Sequence, residues 1–447
     1  MNRPVPTLDA LVRRFECGEV VIGVIGLGYV GVPLALVACA SGSAVLGFDI
    51  DPGKVDQLNA GKSYIRHIVD TEISGPIRAK KFRATTDFSE LASADAILIC
   101  VPTPLSKQRE PDLRFVVQTT REIAKYLRSQ QLIVLESTTY PGTTVEVVQP
   151  ILESSGLVCG RDFFLAFSPE REDPGNLDFK MQQIPKVVGG VDTVSLRLAV
   201  ACYTNMFIRV VPVSSSQTAE AVKLTENIFR AVNIALVNEL KIIYRAMGID
   251  IWEVIEAAKT KPFGFMPFYP GPGLGGHCIP IDPFYLTWKA REFDISTRFI
   301  ELAGEINSAM PRLVLERLVF ALNEYGRRGL NGSCILMLGL AYKKNVDDMR
   351  ESPALKLIEL IEDRGAKVDY YDPYIPVIPI TREHADLAGR RSVEWNLQAI
   401  SNYDAVLIAT DHDIVDYGSV AKNAKFVLDT RNACARHGFS GRTIVKA

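Results

Sequence analysis

The stretch VVIGVIGLGYVGVPLALVACASGSAVLGFD, residues 20–49, decides the fold. A run rich in β-branched residues ends in Gly26-x-Gly28-x-x-Gly31, helix-like sequence follows, and a second apolar run ends at Asp49. In this order the glycines let the backbone approach a pyrophosphate at a helix N-terminus, and the carboxylate bonds an adenosine ribose. Because that carboxylate repels a 2′-phosphate, the stretch predicts a site for NAD rather than NADP. A glycine turn without a ligand is the plainer alternative.

The same stretch carries no charged side chain from residue 20 to residue 48, which is long enough to cross a bilayer. Glycines and Pro33 nevertheless interrupt it at turn-like positions. A buried strand, a tight turn and a buried helix explain it better, and we expect no membrane span.

Similar apolar runs alternate with helix-like segments up to about residue 212. We predict strands at residues 20–25, 44–48, 95–101, 131–135, 163–167 and 186–188. Each run is apolar on both faces, which is typical of a parallel sheet covered by helices. Residues 1–212 are therefore assigned to an NAD-binding domain.

Residues 217–247 contain no Gly or Pro, and Gly248 follows them, which predicts one helix of about 45 Å at 1.5 Å per residue. Its apolar side chains spread around much of the circumference, so both faces are expected to be buried. We assign residues 213–312 to a central helical domain and predict that the helix joins copies into a homodimer or a multiple of a dimer.

After Pro311 the first pattern returns, with strands predicted at residues 334–338, 367–371, 404–409 and 425–428. DAVLIA at 404–409 is similar to DAILIC at 95–100. The turn after the first strand of this second pattern carries Gly339 in place of three glycines, which indicates a different nucleotide. The predicted fold class is α/β: two Rossmann-like doubly wound parallel-sheet domains, the second at 313–447, joined by a central helical domain with one long helix.

The charge balance and the cysteine spacing exclude some classes of function. The chain has 50 Lys plus Arg and 52 Asp plus Glu, whereas proteins that bind nucleic acid or anionic membranes normally carry a basic excess. The eight cysteines lack C-x-x-C pairs and zinc-ligand spacing, which predicts free thiols, a cytoplasmic location and no metal site.

Cys278 lies in a glycine-dense loop, GlyProGlyLeuGlyGlyHisCysIleProIleAspPro at 271–283. Glycines let a backbone coil around a substrate and expose the thiol, with His277 before it and Asp282 four residues later. A lone cysteine is structural more often than catalytic, so the loop by itself leaves both roles open.

Several polar residues are further candidates. Lys223 and Asn227 lie four residues apart on one face of the long helix, and they either point into a crevice or form a solvated stripe with Glu220 and Glu226. Glu170 follows the strand at 163–167 and is a candidate acid/base or a cap.

Cations also follow the strands of the C-terminal domain. Lys343, Lys344 and Arg350 come after its first strand, and Arg431 comes after the strand that ends at Asp429. Strand carboxyl ends face the ligand crevice of an open sheet, so these residues are candidates for phosphate binding. An exposed loop balanced by neighbouring acids is the equal alternative.

Seven motifs, taken together, resemble the UDP-glucose/GDP-mannose dehydrogenase family over nearly the whole chain. They are GlyLeuGlyTyrValGlyValPro at 26–33, ValProThrProLeu at 101–105, GluSerThrThrTyrProGlyThr at 136–143, SerProGluArg at 168–171, the helix positions 223–227, GlyGlyHisCys at 275–278 and AspMetArgGluSerPro at 348–353. The resemblance implies an N-terminal NAD domain, a helical dimerisation centre and a C-terminal domain that binds the UDP of a nucleotide sugar.

The resemblance also implies residue roles. Implied NAD contacts are Gly26, Leu27, Gly28, Tyr29, Val30, Gly31, Asp49, Lys54, Thr103, Ser137, Thr138 and Arg350. Implied substrate contacts are Glu170, Arg171, Lys223, Asn227, Gly271, Gly275, His277, Tyr342, Lys343 and Arg431. Implied catalytic residues are the nucleophile Cys278, the oxyanion-stabilising Lys223 and Asn227, and the acid/base or water-holding Glu170, Asp282 and Thr138.

The chain departs from UDP-glucose dehydrogenases, which usually carry Lys directly before the aspartate where Ile281 stands here. It also has Arg171 and residues 174–176 where they have a different motif after Pro-Glu. Both departures, with His277, resemble the branch that acts on UDP-N-acetylhexosamines and supplies polysaccharide biosynthesis. We therefore predict oxidation of UDP-N-acetylglucosamine at C6 to the uronic acid, with UDP-N-acetylmannosamine or UDP-glucose as alternative substrates.

The chemistry implied is a four-electron oxidation through a thiohemiacetal and a thioester on Cys278. Two rival functions remain open at this stage. A two-electron NAD-dependent sugar dehydrogenase or epimerase would need no nucleophilic cysteine, and a non-catalytic NAD-binding regulator would bind cofactor without turnover.

Overall fold

The structure, a computed structural model, describes residues 7–66, 68–106, 108–172, 180–276, 279–381 and 383–447. The chain divides into two compact units. The first comprises the residues up to Glu226 together with Phe284–Ile295, and the second comprises Asn227–Pro283 and Ser296–Ala447.

The first unit is built on an eight-stranded sheet in the order β3-β2-β1-β4-β5-β6-β7-β8. Its strands are β1 Val21–Ile25, β2 Ala44–Phe48, β3 Phe82–Thr85, β4 Ala96–Ile99, β5 Leu132–Leu135, β6 Phe164–Phe167, β7 Lys186–Gly190 and β8 Val210–Val213. Its helices are α1 Leu8–Glu16, α2 Gly31–Ala40, α3 Pro52–Asn59, α4 Asp70–Arg78, α5 Arg114–Tyr126, α6 Gln149–Glu153 and α7 Thr193–Thr204.

The central strands are buried on both faces, as the sequence predicts. Every residue of β4 and of β5 is fully covered, because each strand lies between two hydrophobic clusters. One pairing differs from the all-parallel prediction: β6 and β7 are antiparallel, whereas every other neighbouring pair in this sheet is parallel. Antiparallel neighbours can be joined without the crossover that a parallel pair requires.

The second unit contains a five-stranded parallel sheet in the order β10-β9-β11-β12-β13. Its strands are β9 Cys334–Leu338, β10 Lys367–Tyr371, β11 Ala405–Ile408, β12 Val427–Asp429 and β13 Ile444–Lys446. The remaining α-helices within the described ranges are α8 Ser216–Ala246, α9 Ile251–Ala258, α10 Asp282–Ala290, α11 Arg298–Gly326, α12 Pro353–Glu362, α13 Leu397–Ile400, α14 Tyr417–Asn423 and α15 Ala433–Arg436.

The long helix predicted at residues 217–247 is present as α8, which passes from the first unit into the second at Glu226. A second long helix, α11, contains Pro311 and crosses position 312, where the sequence places a domain boundary. No helix within the described ranges is both long enough and apolar enough to cross a membrane.

Candidate active site and cofactor-binding residues

The glycine turn after β1 leaves a cradle at the start of α2. Gly26 has a φ of +92°, and a Cβ there would lie 2.5 Å from the Cys100 carbonyl oxygen. A Cβ on Gly31 would lie 1.9 Å from the Gly26 carbonyl oxygen, whereas a Cβ on Gly28 would meet nothing within 4 Å. No side chain caps the N-terminus of α2, and the helix dipole favours a phosphate group at this end.

Asp49, at the end of β2, is fixed next to this turn. Its Oδ2 accepts a hydrogen bond of 2.9 Å from the Leu27 N–H and lies 3.5 Å from the Lys54 Nζ, while Oδ1 accepts from the Asp51 N–H at 3.0 Å. The carboxylate is 7% exposed, so it keeps limited access to solvent. The open face at Gly28 and the oriented carboxylate fit a dinucleotide with a free ribose hydroxyl.

The segments after β4 and β5 carry further predicted cofactor residues at the carboxyl edge of the sheet. The Ser137 hydroxyl donates to the Val101 carbonyl oxygen at 2.7 Å, and the Thr103 carbonyl oxygen accepts from the Tyr285 hydroxyl at 3.0 Å. Thr138 is half-buried. Its neighbour Thr139 is fully buried, and its hydroxyl has no hydrogen-bond partner among the described residues. Sequence reasoning missed Thr139, since only the structure distinguishes it from Thr138.

Glu170 is held at the end of β6 by its own loop. Its Oε1 accepts the backbone N–H groups of Arg171 and Glu172, at 2.7 and 2.5 Å. Its Oε2 is buried without a hydrogen-bond partner in the described part of the chain and lies 3.8 Å from the Lys186 Nζ. One carboxylate oxygen is therefore anchored and the other remains available for proton transfer.

Lys223 donates a hydrogen bond of 2.5 Å to the Glu170 carbonyl oxygen and is 7% exposed. Glu220, one turn earlier on α8, is fully buried and accepts from the Gly142 and Thr144 N–H groups. The alternative of a solvated stripe on this face is therefore wrong. Burial raises the pKa of Glu220 to about 7, although these hydrogen bonds oppose the shift.

A buried charge network that the sequence did not predict lies behind Glu170. The Lys186 Nζ is 2.5 Å from the Glu136 Oε2, and the Tyr203 hydroxyl donates to the other Glu136 oxygen. Burial raises the pKa of Glu136, although Lys186 opposes the shift. Burial alone would lower the pKa of Lys186, but Glu136 and Glu170 outweigh it and raise that pKa. The network fixes the Lys186 ammonium group 3.8 Å from the buried Oε2 of Glu170.

Arg171, a predicted substrate contact, is engaged within the first unit. Its guanidinium lies 2.5 Å from the Glu226 carboxylate and donates to the Pro185 carbonyl oxygen at 2.6 Å. Arg171, which follows β6, is thus held against Pro185 before β7 and against Glu226 of α8.

In the second unit, the Asn227 Nδ2 donates to the Asp282 Oδ2 at 2.5 Å. Asn227 is 5% exposed and Asp282, the first residue of α10, is 3% exposed. The two predicted catalytic residues therefore contact each other directly. Ile281, which stands where UDP-glucose dehydrogenases usually carry Lys, is buried.

The glycine-rich segment 271–276 packs closely against the C-terminal sheet domain. A Cβ on Gly271 would lie 2.6 Å from the Arg431 Nη1, and one on Gly275 would lie 2.7 Å from the Tyr342 Cβ. The Gly276 N–H donates to the Arg350 carbonyl oxygen at 2.9 Å. The segment thus brings together predicted substrate residues that are far apart in sequence.

The cations after β9 have separate environments. Lys344 pairs with Asp413 at 3.0 Å, and Arg350 pairs with Asp348 at 2.6 Å, so acidic residues do balance part of this loop. The Lys343 Nζ lies 5.9 Å from the centre of the Tyr342 ring.

The turn after β9 differs from the glycine turn of the first unit. Asp372, at the end of β10, accepts the Leu340 N–H at 2.6 Å, as Asp49 accepts that of Leu27, but it also lies 3.1 Å from the buried His412 Nε2. A Cβ on Gly339 would lie 2.4 Å from the Thr410 carbonyl oxygen. This carboxylate is enclosed by protein partners, which separates its role from that of Asp49.

His277 and Cys278 lie outside the described residues, as do positions 174–176. Their predicted roles remain predictions.

Comparison with known proteins identifies the chain's relatives. Residues 20–207, 217–309 and 336–436 match the NAD binding, central and UDP binding domains of the UDP-glucose/GDP-mannose dehydrogenase family. A UDP-N-acetyl-D-mannosamine dehydrogenase of Pyrococcus horikoshii is 34% identical over 92% of this chain and 95% of its own length. A UDP-N-acetyl-D-glucosamine 6-dehydrogenase of Pseudomonas aeruginosa is 34% identical over 88% and 90%, respectively.

Among solved structures, a UDP-D-ManNAc dehydrogenase from Pyrococcus horikoshii superimposes with a TM-score of 0.84 at 33% identity, covering 95% of this chain and 98% of the other. The matching domains account for the cofactor cradle, the central helices and the second sheet in chain order. The chain therefore belongs to the UDP-glucose/GDP-mannose dehydrogenase family and is an NAD-dependent oxidoreductase.

Proposed function

We propose that this enzyme oxidises the C6 hydroxymethyl group of a UDP-N-acetylhexosamine, with UDP-N-acetylglucosamine as the preferred substrate, to the carboxylate. The observation that carries the choice of sugar is the buried Ile281, where UDP-glucose dehydrogenases usually have a lysine. Relatives named for N-acetylglucosamine and for N-acetylmannosamine match at the same 34% identity, so UDP-N-acetylmannosamine is the alternative.

Cys278 is the proposed nucleophile. Its thiolate adds to the C6 aldehyde formed in the first oxidation and gives a thiohemiacetal, whose carbon again carries a hydride. The second oxidation leaves a thioester, and water releases the acid and the thiol. NAD, when bound, accepts a hydride from C6 in each oxidation, so two NADH form per acid.

We assign stabilisation of the C6 oxyanion to Lys223 and Asn227. Lys223 donates one of its three protons to the Glu170 carbonyl oxygen, which fixes the ammonium and leaves two protons for a substrate oxygen. Asn227 is fixed in the same way by its bond to Asp282.

Proton transfer is assigned to Glu170 and Asp282, with Thr138 holding the attacking water. The buried Glu170 Oε2 accepts no hydrogen bond from the described residues, which supports this role, because a general base needs an oxygen that no protein donor occupies. The Thr139 hydroxyl has no hydrogen-bond partner among the described residues, which makes Thr139 a second candidate for holding water.

We retain the NAD contacts predicted from sequence. Asp49 is proposed to bond the adenosine ribose, and Gly28 to admit the pyrophosphate at the start of α2. The free cysteines at described positions fit the reducing cytoplasm that we propose as the location.

We also propose that the enzyme is a homodimer or a multiple of one. Phe229, Leu236 and Ile243 recur every seventh residue on α8, and each is 46–49% exposed. Apolar side chains at this spacing form one stripe along a helix, which is the pattern of a helix–helix seam.

The deciding experiment measures NADH formation with UDP-N-acetylglucosamine, UDP-N-acetylmannosamine, UDP-glucose and GDP-mannose, with mass spectrometry of the products. The expected result is the highest kcat/KM for UDP-N-acetylglucosamine and two NADH per uronic acid. A higher kcat/KM for UDP-glucose would refute the choice of sugar, and one NADH per product would refute the thioester route.

A further inference from the structure

Lys241 is a buried lysine on the α8 segment in the second unit. The residue is 8% exposed, and its Nζ forms no hydrogen bond with any residue that the structure describes. A buried ammonium group without a hydrogen-bond acceptor is strongly disfavoured relative to one in water. Such a group must lose its proton or receive an anion.

The surroundings of Lys241 are cationic. Burial and then repulsion by Arg245 and Arg431 lower its pKa to about 7. The carboxylates near Arg431 are engaged elsewhere: Asp429 accepts the backbone N–H groups of Arg431 and Cys434, and Asp411 pairs with Arg436. Burial lowers the pKa of Arg431, and Asp411 and Asp429 oppose this shift only in part. Among the described residues, no carboxylate forms an ion pair with Lys241.

Contacts within the second unit connect the helix that carries Lys241 with Arg431. Asn238, which lies three residues before Lys241 on the same helix face, accepts the Gly271 N–H at 3.0 Å. Gly271 in turn lies against Arg431, since a Cβ there would be 2.6 Å from the Nη1. The Arg431 Nε donates to the Ala409 carbonyl oxygen at 2.9 Å, and among the described residues its terminal amino groups have no hydrogen-bond partner.

We propose that Lys241 and Arg431 form an anion site that binds a phosphate group of the nucleotide sugar, with Lys241 as its buried cation. This inference rests on the proposed function and adds a binding residue from the central helix. Arg431 lies within the match to the UDP binding domain, which favours phosphate over a carboxylate supplied by a second copy of the chain. A guanidinium fork and an ammonium point charge are complementary phosphate ligands.

The test is calorimetric titration of the full-length protein with UDP-N-acetylglucosamine and, separately, UDP, without NAD, at pH 8. Lys241→Met should raise the Kd for both ligands about tenfold or more, as expected for the loss of a hydrogen bond to a charged group. Lys241→Arg should retain most of the affinity. The matched control is Lys259→Met, an exposed lysine of the same unit paired with Glu256, and it should bind as the wild type does.

Proton uptake provides a readout that a structural role would not change. Because the free Lys241 is mostly neutral at pH 8, wild-type binding should take up most of one proton, measured in two buffers that differ in ionisation enthalpy. Lys241→Met should abolish this uptake and should not lower the unfolding midpoint, since it removes a buried amine that forms no hydrogen bond with the described residues. UDP-N-acetylglucosamine is suited to this measurement because its diphosphate does not titrate near pH 8.

An unchanged Kd in Lys241→Met would overturn the proposal. So would dissociation of the oligomer with unchanged affinity per subunit, which would assign Lys241 to an interface with a second copy. If the wild type binds UDP but not UDP-N-acetylglucosamine, the choice of sugar fails while the anion site is still tested by UDP.

Discussion

Replacing Lys186 with Met should destabilise the first unit strongly. Lys186 has a 3% exposed side chain and lies 2.5 Å from the fully buried Glu136. Among the described residues, the variant therefore leaves this buried carboxylate with only the Tyr203 hydroxyl as a donor. Breaking a buried ion pair by removing one partner costs about 3–5 kcal/mol. For a domain of this size, that corresponds to a fall in the unfolding midpoint of roughly 6–20 °C.

The assay is thermal unfolding followed by circular dichroism at pH 8 and at pH 5. The loss should be smaller at pH 5, because burial already raises the pKa of Glu136, and removing Lys186 raises it further, so the carboxyl takes up a proton. The double variant Lys186→Met with Glu136→Gln should recover much of the loss, since neither charge then remains buried. Lys125→Met, which breaks an exposed pair with Glu122, is the control and should leave the midpoint unchanged. A Lys186→Met midpoint equal to that of the wild type would refute the reasoning.

Four further predictions follow from the site and the helices. Glu220, whose pKa rises to about 7 on folding from an ordinary value of 4.5, should make the free energy of unfolding fall by roughly 3 kcal/mol as pH increases through this interval, and Glu220→Gln should flatten that slope in urea titrations. An equally steep slope in the variant would contradict the assignment. Leu236→Glu should give a monomer by light scattering, because it places a charge in the exposed apolar stripe of α8; an intact oligomer would exclude this stripe as the interface. Cys278→Ala should form no uronic acid while retaining NAD binding in calorimetry, and acid formation at the wild-type rate would make the thiol structural. Asp49→Ala should narrow the preference for NAD over NADP in steady-state kinetics; a wild-type enzyme that prefers NADP would show that Asp49 does not select the cofactor.

The fold was predictable where strands are buried on both faces. The runs at residues 95–101 and 131–135 contain β4 and β5, because central strands of a parallel sheet need apolar residues at every position. The strands that the sequence did not reveal, β3, β8 and β13, all lie at edges of the sheets. Edge strands are short and tolerate residues such as Arg83 and Pro212, so they lack the buried pattern.

Sequence motifs mark several candidate site residues. Residues whose role depends on tertiary contacts were harder to predict. The spacing of Lys223 and Asn227 was compatible with a solvated face, and only the packing of α8 shows that both are buried. Lys186 and Lys241 had no motif to mark them. A lysine at the start of an apolar strand was the available signal for Lys186, because charges in buried strands require a partner.

The three glycines of the first turn are required for different reasons. The difference determines which substitution would impair cofactor binding without impairing folding. Gly26 and Gly31 are required by the chain itself, since any side chain would strike backbone atoms of the turn or of Cys100. A substitution at either position would therefore report on folding before it reported on binding. Gly28 faces open space, so only the ligand opposes a side chain there. A descendant of this enzyme that had lost its cofactor would be free to change residue 28 while keeping the other two glycines.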